Sequence, residues 1–210
     1  MIVLSEIEND ALAELANIGV SKSSVALSRM IGGEVTMSVP TVEVVPRAEA
    51  ARRLDGEYGG RLAAVSERFT GALSGAALLV FPEGSSLDLA RAALPDDVDP
   101  DLVPDLEREA LGEIGNIVLN NCLSSMANML GAALDTALPR VLYGSGQEIF
   151  AGCGADDGNG DGPEATVIVF TIRFRMKAKN LPGQVAIAVD AASEAALRER
   201  IAAYVERVLG

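Results

Sequence analysis

The chain has 210 residues, of which 49% are hydrophobic, and a formal net charge of −13. This length allows one moderately large domain, or two small fused halves, with a buried core. The acidic balance argues against nucleic acid as a partner, because phosphate backbones are bound by clustered lysine and arginine side chains. The chain contains no histidine, which excludes histidine-based triads, histidine general bases and ordinary zinc hydrolase sites.

Other common classes are excluded by motif and by run length. The two cysteines form no CxxC pair, and neither a P-loop nor a GxGxxG turn is present. Residues 1–5 lack the basic and long apolar segments of a secretory signal. The longest apolar run, residues 75–81, is too short to span a bilayer. We therefore expect a soluble, cytoplasmic protein without membrane insertion.

A long helix is predicted from Ser5 to about Ile31. Ser5 and Glu8 form a capping box, and the glycines at 32 and 33 end the helix. Apolar residues recur at three- and four-residue steps along one side: Leu12, Leu15, Ile18, Gly19, Val25, Ala26 and Met30. This stripe should face the core.

A polar ridge follows another side of the same helix. Asp10, Glu14, Asn17 and Ser21 are spaced four, three and four residues apart, so their side chains project from neighbouring turns. For a single helix, such a ridge is most simply a solvated face.

The middle of the first half predicts strands and short helices. A strand is expected over residues 35–45, interrupted at Pro40, which suits an edge or a bulge because proline has no amide hydrogen. Residues 47–60 predict a short helix or a loop. Residues 61–70 and 73–81 predict two strands of a hairpin, and residues 87–94 predict a short helix.

Residues 95–101 predict a linker, because they are acidic and flanked by prolines. A second long helix is expected over about 104–134, with a ridge of Glu109, Glu113, Asn116 and Asn120. We therefore predict a single domain, residues 1–210, made of two repeats, about 1–97 and about 101–210.

The rest of the second half follows the first half in outline. Residues 139–143 match the first strand, residues 165–177 and 184–189 match the hairpin, and residues 193–209 predict a final helix. The glycine-rich loop 152–163 contains residues 157–162, which match the opening of an EF-hand calcium loop. Ile168 stands where the bidentate glutamate belongs, so a disordered acidic loop is favoured over a metal site.

The duplication changes the interpretation of the ridges. Glu14 and Glu113 are 99 residues apart, as are Asn17 and Asn116, and each asparagine is followed 23 residues later by a proline. Each glutamate precedes its asparagine by three residues, or about one helical turn. A pair of residue types kept at the same spacing in both copies favours a functional site over a solvated surface.

The residue types limit what this site can do. A carboxamide is neither a nucleophile nor a base near neutral pH, but it both donates and accepts hydrogen bonds, so it can orient a water. Oriented water is what phosphoryl hydrolysis needs when the metal and the electrophile are assembled on another protein. A carboxylate one turn away can pair with a lysine of that partner. Such a site needs no cofactor of its own.

These residues resemble the motif of the CheC, CheX and FliY group of chemotaxis phosphatases. That motif has Asp or Ser, three residues, Glu, two residues, Asn, and a later Pro. The first copy fits it with Asp10, Glu14, Asn17 and Pro40. The second copy fits with Glu113, Asn116 and Pro139 but has Glu109 where Asp or Ser is usual. The resemblance covers nearly the whole chain.

The resemblance implies a fold and an activity. The fold would be a pseudo-twofold, duplicated CheC-like α/β (α+β) structure, with antiparallel sheet strands and two long motif helices side by side on one face. The activity would be hydrolysis of the aspartyl phosphate of a CheY-type response regulator, which would supply the Mg²⁺. Asn17 and Asn116 would orient the attacking water, and Glu14 and Glu113 would contact the regulator's lysine.

Two further readings remain open. The two-copy layout resembles CheC more than the single-site CheX, and CheC proteins also bind CheD, a receptor deamidase. The chain could therefore be a non-catalytic adaptor for CheD or for the regulator, or the ridges could simply solvate two core helices. Asp10, Ser21, Glu109 and Asn120 are weaker candidates for contacts with a partner.

Overall fold

A computed structural model describes residues 4–94, 99, 101–153, 165–176 and 179–209. Its strands are β1 Val35–Pro46, β2 Leu62–Gly71, β3 Gly75–Pro82, β4 Leu134–Thr136, β5 Arg140–Gly144, β6 Thr166–Met176 and β7 Lys179–Val189. Its α-helices are α1 Glu6–Ile31, α2 Arg47–Tyr58, α3 Glu83–Ala92, α4 Val103–Leu130, α5 Gly146–Gly152 and α6 Glu194–Leu209, the last preceded by a 3₁₀ turn at Ala191–Ser193.

The seven strands form one antiparallel sheet. Their order is β1, β6, β7, β3, β2 and β4, and β5 also pairs with β2. β1 pairs with β6 from the second half of the chain, whereas β4 and β5 pair with β2 from the first half. This reciprocal pairing confirms the pseudo-twofold antiparallel fold expected from the sequence. The repeat boundary stays a prediction, and residues 95–98 and 100 of the expected linker lie outside the described residues.

The two faces of the sheet carry separate layers of helices. Side chains from one face form a core with α1, α3, α4 and α6, and side chains from the other face form a second core with α2 and α5. Neighbouring residues of β2 illustrate this alternation, since Ala63 and Val65 belong to the first core and Ala64 to the second. The long helices α1 and α4 therefore lie side by side on the same face, as expected.

The ends of the long helices follow from their capping residues. Ser5 accepts a hydrogen bond from the Glu8 amide and completes the predicted capping box, and Gly32 ends α1 with a φ of 66°. α4 ends at Leu130, four residues before the predicted position. Gly131 adopts a φ of 62°, and Leu134 then enters the sheet as the first residue of β4, which the sequence analysis missed.

Other differences are local. The helix expected at residue 87 begins at Glu83, and α5 was not predicted. Val25, placed on the apolar stripe by its spacing, is 55% exposed because the buried side of α1 runs through Leu12, Leu15 and Val20 instead. Residues 154–164, most of the calcium-loop-like segment, lie outside the described residues.

Two glycines set how closely the first layer packs. A Cβ at Gly19 of α1 would lie 2.8 Å from the Cys122 Cα of α4, so the two helices touch along their backbones. A Cβ at Gly115 of α4 would lie 2.4 Å from side-chain atoms of Val65 on β2. Both glycines are buried and lie within three residues of a ridge asparagine. The close packing at these glycines therefore sets the position of each ridge relative to the other ridge and to the sheet.

Candidate functional site

The first ridge is open to solvent along α1. Asp10, Glu14 and Ser21 are exposed, and Asn17 is half-buried between the helix and the sheet. This difference follows from the helix position, because Asn17 adjoins the buried residues Leu15, Ala16 and Gly19.

Both polar atoms of the Asn17 carboxamide are hydrogen-bonded. Its Nδ2 donates to the Ala13 carbonyl oxygen at 2.9 Å, and its Oδ1 accepts from the Val39 amide at 3.1 Å. β1 changes register between Ser38 and Thr41, which frees the Val39 amide from the strand pairing. The predicted interruption at Pro40 is therefore a bulge on an edge strand, and its effect is to supply a donor to Asn17.

The second ridge repeats this exposure pattern on α4. Glu109 and Glu113 are exposed, whereas Asn116 and Asn120 are half-buried. Asn120 Nδ2 donates to Asn116 Oδ1 at 2.7 Å, and the Thr136 hydroxyl donates to Asn120 Oδ1 at 3.1 Å. Asn116 is thus held through a side chain that the sequence had assigned to partner contact.

The two asparagines are held by different groups because the chain differs around the two prolines. Val39 is 6% exposed, whereas Leu138, 99 residues later, is 88% exposed. The β-bridge to β2 ends at Thr136 and resumes at Arg140, so Leu138 lies in the break between β4 and β5. Its amide makes no hydrogen bond to Asn116, and Asn120 occupies the acceptor oxygen instead.

A buried carboxyl group lies beneath the second ridge. Glu67 on β2 has an exposed fraction of 0%, and neither of its carboxyl oxygens has a hydrogen-bond partner among the described residues. Thr136 lies opposite Phe69, so its side chain is on the same face of the sheet as that of Glu67. Burial raises the pKa of the Glu67 carboxyl, and the nearby Thr136 hydroxyl opposes that shift by a smaller amount.

We expect Glu67→Ile to stabilise the protein, and more so at higher pH. Because the folded-state pKa of Glu67 is raised, the unfolded chain releases this proton first as pH rises above the ordinary glutamate value. The stability contributed by the proton is present at lower pH and is lost as pH rises through the folded-state pKa. Removing an unpaired buried polar group should add about 1–2 kcal/mol near pH 8.

Thermal unfolding of wild type and Glu67→Ile, followed from pH 4 to pH 8, measures this effect. The gap between the two midpoints should widen with rising pH. A gap that stays constant, or that narrows, would contradict a raised pKa of Glu67 in the folded protein.

A cysteine thiol also lies near the ridges, on α4, and it is mostly protonated. Cys122 is buried beside Gly19, and burial raises the pKa of its thiol to about 12, so little thiolate is present near neutral pH. No group of three or more side chains suited to hold a metal ion occurs among the described residues. The two glutamate–asparagine pairs therefore offer only carboxylates and carboxamides to a partner.

Two family models match separate parts of the chain. The model described as "CheC-like family" matches residues 7–44, and the model described as "Chemotaxis phosphatase CheX" matches residues 64–155. The first range contains Glu14 and Asn17, and the second contains Glu113 and Asn116. Curated relatives carry the names of the same group, among them "CheY-P phosphatase CheC" of Bacillus subtilis, which is 27% identical over 144 residues. These matches confirm the resemblance to the CheC/CheX/FliY family in both halves of the chain.

Two other relatives in this family have similar identities. The "Flagellar motor switch phosphatase FliY" of Bacillus subtilis is 29% identical over 141 residues, covering 66% of this chain and 36% of the relative. The "Putative CheY-P phosphatase CheC1" of Halobacterium salinarum is 26% identical, covering 67% of this chain and 71% of the relative. The chain thus matches about a third of FliY and about two thirds of the CheC proteins.

Solved structures share the CheC/CheX/FliY fold over most of the chain. Thermotoga maritima FliY superposes with a TM-score of 0.73 at 21% identity, over 98% of this chain and 99% of that structure. The FliM middle domain of H. pylori gives 0.66 at 10% identity over 94% and 99%. CheX of Desulfovibrio desulfuricans gives 0.52 at 20% identity over 83% and 99%. These likenesses establish the fold.

Several contributors to the site were absent from the sequence interpretation. The Val39 amide was missed because no side chain marks it, and Thr136 because β4 was not predicted. Glu67 carried a usable signal, since it is a charged residue that alternates with the apolar Val65 and Phe69 on one face of the predicted strand. None of the helices in the described parts of the chain is both long and apolar enough to cross a lipid bilayer.

Proposed function

We propose that this protein is a phosphatase that hydrolyses the aspartyl phosphate of a CheY-type response regulator. The observation that carries the proposal is the duplicated pair of an exposed glutamate and a half-buried asparagine, one pair on each of two adjacent helices. Relatives at 26–29% identity are named as CheY-P phosphatases or as a flagellar motor switch phosphatase, which supports the same activity here.

The asparagine is the catalytic residue at each site in this proposal. Its side chain enters the regulator's phosphorylation site and hydrogen-bonds a water, placing the water oxygen in line with the phosphorus. Asn116 suits this role because its Oδ1 is held by Asn120, while its Nδ2 has no hydrogen-bond partner among the described residues. Asn17 is held at both ends and keeps one N–H hydrogen and one oxygen lone pair for the water.

The glutamate sets the docking position. Glu14 and Glu113 are exposed one turn before their asparagines, where a charge-assisted hydrogen bond to a lysine of the regulator fixes the helix against the phosphorylation site. Asp10 and Glu109, one further turn along, add negative charge to the same approach surface. This charge favours encounter with a cationic site and makes binding dependent on ionic strength.

Mg²⁺ belongs to the regulator in this mechanism. The metal would neutralise the phosphoryl oxygens from the regulator's side, and the residues of this chain would contribute the water and the docking carboxylate. The exposed groups of the ridges suit this division, because a carboxamide positions water without itself changing protonation state.

The adaptor reading remains the alternative to be tested. The same fold occurs in the FliM middle domain of H. pylori, and a fold alone does not decide between catalysis and binding. CheD remains a partner suggested only by the family resemblance. A non-catalytic adaptor would bind the regulator without changing the lifetime of its phosphate.

The test measures phosphate release from a phosphorylated CheY-type regulator after adding this protein in substoichiometric amount. We expect release at least about tenfold faster than the regulator's own rate, with each molecule acting on many regulators. An inert protein of similar acidity, added at the same concentration, controls for non-specific effects. Binding with an unchanged release rate would favour the adaptor over the phosphatase.

A further inference from the structure

The sheet pairing fixes which residues of the two repeats are equivalent. Thr41 and Arg140 are 99 residues apart, and they pair with Thr171 and Ser66 respectively. Ser66 of β2 is therefore equivalent to Thr171 of β6, an offset of 105 residues. The same offset relates Phe69 to Phe174, and both phenylalanines are buried in the first core, which supports the correspondence.

Three polar residues near Asn116 have no polar network opposite them in the other repeat. By the offsets of 105 and 99 residues, Glu67 is equivalent to Ile172, and Thr136 is equivalent to Met37. Ile172 and Met37 are buried and apolar, and they belong to the first core. Asn120 is equivalent to Ser21, which is exposed. The fold therefore accepts apolar residues at the first two positions, and the polar set is specific to the second site.

These residues lie in sequence from the core to the ridge. Glu67 is fully buried on β2, Thr136 is on the same face of the sheet, and the Thr136 hydroxyl donates to Asn120 at 3.1 Å. Asn120 in turn donates to Asn116 at 2.7 Å. The two hydrogen bonds thus run from β4 to α4, and Glu67 lies next to their starting point on the neighbouring strand β2.

We propose that Asn120, Thr136 and Glu67 are positioning residues for the carboxamide of Asn116: Asn120 and Thr136 hold it through these two hydrogen bonds, and Glu67, when protonated, supports Thr136 from below. In the first repeat the Val39 amide performs the same task for Asn17 directly. In the second repeat this hydrogen-bond series takes the place of the backbone contact, because Leu138, the counterpart of Val39, is exposed and its amide does not reach Asn116. This inference rests on the proposed function for its catalytic consequence, but its structural content is independent of it.

The donors and acceptors of Asn120 and Thr136 are compatible with a protonated Glu67. The single hydroxyl hydrogen of Thr136 is donated to Asn120, so its oxygen remains as an acceptor. A neutral Glu67 carboxyl can donate to that oxygen, whereas an ionised one would compete with Asn120 for the hydroxyl hydrogen. Burial favours the neutral form, because it leaves the charged carboxylate without solvation.

The position of Glu67 is hard to explain by stability alone. Burying a carboxyl group in a strand costs stability even where one hydrogen bond offsets part of the cost, and the equivalent Ile172 shows that an apolar side chain fits the repeat at this place. A residue that weakens the fold and is connected to the site is what a positioning role predicts. Glu67→Ile should therefore raise stability while lowering the activity of the second site.

The kinetic test uses the full chain carrying Asn17→Ala, so that the second site alone acts on the regulator. In this background we expect Asn120→Ala, Thr136→Val and Glu67→Ile each to lower kcat about tenfold with KM little changed, because misplacement of Asn116 affects the reaction more than docking. Thr136→Ser and Glu67→Gln retain a hydroxyl and a donor and should restore most of the rate. Asn128→Ala, exposed two turns further along α4, is the matched control for Asn120→Ala.

A second readout needs no regulator. The ¹⁵N order parameter of the Asn116 side-chain amide should fall in Thr136→Val and Glu67→Ile and stay near the wild-type value in Thr136→Ser and Asn128→Ala. If Asn116 stays equally ordered in every variant, the proposal that Thr136 and Glu67 position it is wrong. If wild type does not accelerate phosphate release, the proposed function fails. The order parameters would still show whether these residues hold Asn116 in place.

The kinetic arm distinguishes positioning from general destabilisation. A loss of rate in Glu67→Ile together with a raised unfolding midpoint supports positioning, since a residue that only supported the fold would move both in the same direction. An unchanged kcat in Glu67→Ile and Thr136→Val, in an otherwise active protein, would overturn the proposal.

Discussion

The double substitution Asn17→Ala and Asn116→Ala is expected to return phosphate release to the regulator's own rate. Alanine removes the carboxamide that orients the attacking water at both sites, while Glu14 and Glu113 remain exposed for docking. Loss of correct positioning accounts for about 10²-fold or more in rate, so the acceleration should disappear. Loss of label from a phosphorylated regulator, together with a binding measurement for each variant, gives the answer.

The single variants report on each site separately. Asn17 is held by a backbone amide and Asn116 by another side chain, so the two sites need not act at equal rates. Each single variant should keep the activity of the other site, and the two losses should add up to that of the double variant. Asn128→Ala makes the same chemical change at an exposed position of α4 and should keep the full rate.

The outcome that contradicts the mechanism is a double variant that still accelerates release as wild type does. Loss of regulator binding in the double variant would mean instead that the asparagines dock the partner. Retained binding with lost acceleration is the result that the proposed role of the carboxamides requires.

Gly115→Ala is expected to destabilise the protein by about 3 kcal/mol, at the upper end for overpacking in a core. The new methyl carbon would lie 2.4 Å from the Cβ and Cγ1 of Val65, a branched side chain that is itself fully buried. α4 would have to move away from β2, carrying Glu113 and Asn116 with it. For a chain of this size the unfolding midpoint should fall by about 6–12 °C.

Gly112→Ala is the matched control, one turn earlier on the same helix. Its methyl carbon would meet Val141 Cγ2 at 3.6 Å, an ordinary contact. Replacing glycine by alanine inside a helix should then stabilise the protein by about 0.5–1 kcal/mol. Thermal or denaturant unfolding of the two variants should therefore show shifts of opposite sign.

Combining Gly115→Ala with Val65→Ala tests the cause. If the clash with Val65 is responsible, the double variant should be more stable than the sum of the two single effects predicts. Simple additivity would show that the destabilisation of Gly115→Ala has another origin.

Local interactions allowed much of this protein's structure to be predicted from its sequence. The capping box at Ser5, the left-handed glycine after Ile31 and the spacing of Glu14 and Asn17 depend on residues close in the chain, and they specify α1 and its ridge. The repetition of Glu113 and Asn116 at the same spacing indicated the family, because a pattern kept twice is independent of any one helix.

Contacts between distant segments determined the rest. β4 is three residues long and forms only because β2 offers it an edge, so Thr136 had no signal of its own. The sequence gives no sign that the Val39 amide meets Asn17 or that Thr136 meets Asn120, since these contacts depend on the bulge in β1 and on the pairing of β4 with β2. The sequence thus determined which side chains each site carries, whereas the packing of helices on the sheet decided how each asparagine is held.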